Sequence, residues 1–126
     1  MPEFRALIID PRNPDNDGPR QLTETTLAEH VRDDIEIAYG YRRPDGELGH
    51  IPRVAFIFGE NTKLHPGWVP NPIATTLWWH YDPRAVRRDV LAGPVVIAGV
   101  DHAELGPLPE DVAEAYLLAS LARALR

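Results

Sequence analysis

Five histidines, three tryptophans and a run of arginines are the residues in this chain that could do chemistry. His30, His50, His65, His80 and His102 are scattered, and none forms the four-apart pair with an intervening glutamate that zinc peptidases use. His80-Tyr81-Asp82 and Asp101-His102 each put a carboxylate beside an imidazole, an arrangement that can orient a metal ligand or a general base. No third ligand is identifiable, so both pairs read more plainly as loop residues at strand ends, and no metal is expected. Nucleophilic catalysis has little to work with: there is no cysteine, and the sole serine, Ser120, lies inside a predicted helix. Asp15-Asn16-Asp17-Gly18 has the opening of a calcium loop, but counting from Asp15 the twelfth position is Thr26 rather than glutamate. No Gly-Lys-Ser/Thr phosphate loop exists. These readings weigh against an enzyme; no catalytic residue and no cofactor are expected, and a reaction using His80 and Asp82 stands as the third choice.

Binding chemistry is better supplied. Arg84, Arg87 and Arg88 follow the aromatic run Trp78-Trp79-His80-Tyr81, and guanidinium groups near aromatic faces can hold phosphates or stack on bases. The plainer alternative is a solvated charged turn with the aromatics in the core. Trp68, Trp78 and Trp79 fall within twelve positions. An exposed tryptophan near arginine has the composition of an interface hot spot, and burial of all three rings would remove that reading. The binding surface expected from the sequence therefore comprises Trp68, Trp78, Trp79, Tyr81, Arg84, Arg87 and Arg88. Lys63, the only lysine, joins it as an anion contact.

Something must position these residues. Ala6-Leu7-Ile8-Ile9 reads as a buried strand stopped by Asp10-Pro11. Asn13 to Pro19 is dense in turn formers and reads as a surface loop. Thr25 or Thr26 can cap a short helix, with Glu29 placed to complete a capping box from Thr26 and with Leu27, Ala28 and Val31 on its inner face. Ile35–Tyr39 alternates with period two, as a strand with one wet face does. Arg43-Pro44-Asp45-Gly46 is a turn. Arg53–Phe58 is the best central strand, and Pro94–Gly99 another buried one. Between them, Ile73–Tyr81 fits either a strand or a short helix; as a strand it would send Trp78 and Trp79 to opposite faces. The last element is a helix from Pro109 to Arg126, with Pro109 at its first position, Glu110, Asp111 and Glu114 at its positive end and Arg123 and Arg126 at its negative end. Val112, Tyr116, Ala119, Leu118, Leu121 and Leu125 make a broad apolar stripe that should dock on the sheet.

The expected fold is α+β in a single domain over 1–126: a small mixed or antiparallel sheet of four to five strands, with a short N-terminal helix and a long C-terminal amphipathic helix covering one face. The 126 residues suffice for one core without a staple, and 44% hydrophobic with 25% charged residues is ordinary for a globular chain. A net charge of −6 makes nucleic acid an improbable partner. No apolar run of about 18 residues is present to cross a membrane. Met1-Pro2-Glu3-Phe4-Arg5 lacks the basic head and apolar stretch of a signal peptide, which makes a cytoplasmic location the default.

The order of elements, with Gly59-Glu60-Asn61-Thr62-Lys63-Leu64 after a strand, then Pro70-Asn71, then Asp89 to Gly99 and a closing Leu108-Pro109-Glu110 helix, resembles a family of small uncharacterised phage- and plasmid-borne domains of unknown function. In that family an N-E-x-K-L turn precedes L-P-x-N, and an I-x-G-x-x-x-V-x-G segment precedes the last helix. Asn61, Lys63 and Leu64 match the turn, and Pro70 and Asn71 match the next motif. The Asn13–Pro19 loop, the Arg43–Ile51 hairpin and Trp68-Val69, where the family prefers leucine, depart from it. The resemblance implies no reaction. It implies an accessory protein that binds a host protein, in the manner of an antagonist of host defence, and it adds Asn61 and Asn71 to the candidate surface beside their plainer role as turn formers. A small anionic ligand or nucleotide held by Lys63, Arg84, Arg87 and Arg88 is the alternative.

Overall fold

The computed structural model describes residues 2–125. Along the chain run β1 (Phe4–Ile9), β2 (Gly18–Leu22), α1 (Leu27–Val31), β3 (Ile35–Gly40), β4 (Val54–Gly59), α2 (Pro72–Tyr81), β5 (Val95–Asp101), β6 (Glu104–Gly106) and α3 (Glu110–Ala124). The fold is α+β, and every strand pairing is antiparallel in the order β2-β1-β5-β4-β3. Short β6 pairs with the end of β5, beyond the point where β1 leaves it.

Sequence and position in the sheet agree closely. The inner strands β1, β4 and β5 are almost wholly apolar because both of their faces are covered. One face presents Leu7, Ile9, Val54, Phe56, Val95 and Ile97 to Leu77, Trp78 and Tyr81 of α2 and Val112 of α3. The opposite face presents Ala6, Ile8, Ala55, Ile57, Val96 and Ala98 to Leu22 and to Leu27 and Val31 of α1. At Gly40 a side chain would meet the Tyr81 Cβ at 2.5 Å, so the glycine lets the end of α2 lie directly on β3.

Several expectations need correction. The sheet has six strands, not four to five: β2 uses the Gly-Pro-Arg-Gln-Leu stretch that begins in the segment read as a surface loop, and β6 is three residues long. Both lack the apolar alternation that marks a strand, since β2 is an edge and β6 a short return. The chain enters through β1 and β2, not through a helix, and the short α1 lies on the face opposite α3 rather than beside it. No capping box forms at α1. Thr26 Oγ1 donates to the Thr23 carbonyl at 2.9 Å, and a short 3-10 turn, Glu24–Thr26, leads into the helix.

Ile73–Tyr81 is helical, so Trp78 and Trp79 sit about 100° apart rather than on opposite faces. In α3, Pro109 is the N-cap and Glu110 the first helical residue; Arg126 lies outside the described residues. Its expected stripe divides. Val112, Ala115, Tyr116 and Ala119 pack on the core, while Leu118, Leu121 and Leu125 face outward, Leu118 being 69% exposed. The wide stripe exceeds what one sheet face can cover, and the alanines permit the closer approach. Among the described residues no helix is long and apolar enough to cross a membrane.

Candidate functional site

The irregular segment between β4 and β5 is held to the sheet by buried polar bonds. Asn71 caps α2, its Oδ1 accepting from the Ala74 N–H at 3.1 Å, while its Nδ2 donates to the carbonyls of Ile9 and Gly93 at 2.9 Å each. Thr75 Oγ1 accepts from Leu91 N–H at 2.9 Å. Backbone bonds from Asn71 to Leu91 and from Gly93 to Val69, both 2.8 Å, close the loop against the start of β5. The Arg12 guanidinium donates to the Gly67 carbonyl at 2.6 Å and fixes the turn that carries Trp68.

On this frame the side chains converge around Asp89. Lys63 Nζ lies 2.5 Å from Asp89 Oδ1, and the Trp79 indole N–H donates to the Asp89 carbonyl at 2.8 Å. The Lys63 ammonium stands 6.0 Å from the centre of the Trp68 ring, at the outer limit of a cation–π contact. Trp68 is 40% exposed, and Leu64 and Val86 are exposed too. Arg87, with a left-handed backbone (φ 61°), and Arg88 both face solvent and make no ion pair among the described residues.

A second cleft, of about 360 Å³, opens between the β3–β4 connection and the end of α2 and is lined by Tyr41, Leu48, Gly49, His50, Asp82 and Arg84. Arg84 stacks 5.0 Å above the Tyr41 ring while its Nε donates to Asp82 Oδ1 at 2.8 Å. The hydrogen bond and charge of Asp82 strengthen the hold of Arg84 on its proton.

The sequence-predicted residues thus separate. Lys63 and Trp79 meet at Asp89, with Trp68 beside Lys63, and Arg87 and Arg88 precede Asp89 in the chain and face solvent. Arg84 belongs to the second cleft. Trp78 and Tyr81 are buried under the sheet, and the Tyr81 hydroxyl donates to Asp111 Oδ2 at 3.0 Å. Asn71 is likewise buried, and its polar atoms are occupied by the fold. Helical geometry is the reason for Trp78 and Tyr81: positions three apart share one face, and here that face is the core. Asn61 is tied to Asp33, which accepts from both its main-chain N–H, at 2.7 Å, and its side-chain amide, at 3.1 Å. Those bonds hold the Asp33 carboxyl below its ordinary range.

Two residues that sequence reasoning missed organise these surfaces, Asp89 and Tyr41. Asp89 meets Lys63 from 26 positions away, and no local pattern announces such a pairing. Asp82 is bonded to Arg84, and Asp101 and His102 meet at 3.4 Å in open solvent. Among the described residues no group of three or more His, Cys, Asp or Glu could hold a metal ion. Compared with known families, curated proteins and solved structures, the chain has no match.

Proposed function

We propose that this chain is a non-enzymatic binding module that docks a protein partner through the surface around Asp89, with Trp68 at its centre, Lys63 beside it and Arg87 and Arg88 at its rim. One observation carries the reading: Trp68 is 40% exposed while the lysine over it and Trp79 are both anchored on Asp89. A large apolar ring held in water by a fixed frame loses little conformational entropy when a partner covers it, and tryptophan with arginine is the pairing that dominates interface energetics. The resemblance to phage- and plasmid-borne domains supports a host protein as that partner and an accessory role, such as antagonising a host defence.

The test is capture from host lysate by immobilised wild-type protein and by Trp68→Ala. Saturable capture of one protein by the wild type, weakened roughly tenfold or more in the variant, is the expected result, since hot-spot truncations cost about 2 kcal/mol or more. Capture that is equal for both proteins, or no saturable partner at all, would sink the reading.

The alternative, a small anionic ligand, is favoured by the Tyr41–Arg84 cleft. Nucleotides or inorganic phosphate would then raise the melting temperature of the wild type but not of Arg84→Ala.

A further inference from the structure

The sheet ends in two very different edges. At one, β2 contains Pro19, which has no N–H to offer, and exposed Arg20 and Gln21. Proline and charge on an edge strand prevent a further strand from adding. The other edge, β3, has none of these devices. Its sequence is Ile-Glu-Ile-Ala-Tyr-Gly, it pairs with β4 through six consecutive residues without a bulge, and among the described residues nothing pairs with its outer side. Glu60 N–H donates to the Asp34 carbonyl in the same register. Even-numbered residues of β3 therefore bond to β4, and the main-chain groups of Ile35, Ile37 and Tyr39 point outward. The side chains of these three form an apolar row on the α1 face, with Ile35 40% and Tyr39 37% exposed, along a groove of about 600 Å³ shared with Phe4, Leu27 and Leu105.

We infer that two copies of this chain pair through β3, antiparallel, about a two-fold axis at Ala38, so that their sheets join edge to edge. The strand is complementary to itself in that register. Ala38 meets Ala38 of the second copy, and each Ile37 lies opposite Tyr39 of the other, a β-branched and aromatic pair of the kind that stabilises neighbouring strands. Charge points the same way. Asp34 precedes the strand and makes no ion pair among the described residues, while Arg42 follows it and gives its guanidinium only to the carbonyls of His80 and Gly46, so antiparallel pairing sets the acidic entry of one copy near the basic exit of the other. The register centred on Glu36 instead would set two carboxylates face to face and is disfavoured. Closed two-fold pairing also consumes both open edges, which an open chain of subunits would not.

The absence of cysteine gives a clean test. In Ala38→Cys the two thiols would meet at a non-hydrogen-bonded antiparallel position, where Cα atoms about 4.5 Å apart suit a disulfide. Mild oxidation should convert Ala38→Cys to a covalent dimer, while Gln21→Cys on the β2 edge should stay monomeric. Light scattering and sedimentation of the wild type should give a dimer that dissociates on dilution. Tyr39→Lys, on an exposed side chain, should melt as the wild type does at dilutions where both are monomeric and should shift the midpoint of dissociation roughly tenfold or more upward, because the exchange acts twice across the two-fold axis. A wild type that is monomeric at all concentrations, Ala38→Cys crosslinking no faster than Gln21→Cys, or a dimer indifferent to Tyr39→Lys would each overturn the inference. Pairing of β3 with a strand of another protein would appear as the first of these outcomes.

Discussion

Arg53 grips Asp111 with two prongs, Nη2 to Oδ1 at 2.7 Å and Nη1 to Oδ2 at 3.2 Å. The pair ties the residue before β4 to the first turn of α3, and it is only part of a larger knot. Arg53 also donates to the Arg42 carbonyl at 2.6 Å, and the Tyr81 hydroxyl donates to Asp111. Three segments, the β3–β4 connection, α2 and α3, therefore meet at one carboxylate. Burial acts to raise the Asp111 pKa, but the bonds and charge of Arg53, with the Tyr81 hydroxyl, outweigh it and hold the carboxyl below its usual range.

Replacing Asp111 with Asn should destabilise the fold by about 1–3 kcal/mol, because it leaves a partly buried guanidinium without its counter-charge. Urea unfolding of D111N against the wild type measures this. A depressed folded-state pKa gives stability that is complete above about pH 4, where the unfolded carboxyl ionises, and is lost as the pH falls through the folded value. The acid limb of the wild-type stability curve should thus be steeper than that of D111N.

The alkaline limb belongs to Tyr81. Burial first, and then the Asp111 charge, push its hydroxyl well above the ordinary value of about 10. A raised folded-state pKa gives stability that is complete below the unfolded pKa and falls as the pH climbs from there toward the folded one. Tyr81→Phe should lose part of the stability at pH 7 and flatten the decline above pH 10, which denaturation at pH 8 and pH 10.5 would reveal.

Asn71→Ala should cost roughly 2–4 kcal/mol, since it removes a helix cap and strands the buried Ile9 carbonyl and the half-buried Gly93 carbonyl. Asn71→Asp keeps the acceptor for Ala74 but sets a carboxylate oxygen against two carbonyls. It should be no better than the alanine variant in thermal denaturation.

The two sides of α3 should respond in opposite ways. Val112→Ala opens space in the core beneath the helix and should cost about 1–3 kcal/mol. Leu118→Glu, at an outward position, should change stability by no more than about 0.5 kcal/mol. Comparable losses from both substitutions in chemical unfolding would contradict the orientation of the helix.

Much of the frame was legible in the chain. Strands β1, β3, β4 and β5 and helix α3 lie close to where composition and period put them, because a buried strand needs a short apolar run and the long helix carries its charge bias at both ends. β2 was not legible, since an edge strand that resists pairing is built from the same glycine, proline and arginine as a loop. Segment 73–81 was ambiguous because a short apolar run serves a buried helix and a buried strand alike; Asn71 bonding to Ile9 and Gly93, residues distant in sequence, fixes its start. For the candidate surface the sequence narrowed the region to Asn61–Arg88 but could not sort its side chains.

The sequence by itself determined an acidic, cysteine-free α+β chain with apolar strands and a charge-polarised final helix. Each of those features depends on composition or on spacings of a few residues. Only the tertiary structure decided which tryptophan faces water, which leucines of α3 stay outside, and that Asp89 gathers Lys63 and Trp79. Exposure and pairing of this kind are set by which distant segment arrives alongside, and the physical cause is packing. A sheet face has room for a limited set of side chains, and those beyond it, Trp68 and the outer leucines among them, remain in solvent.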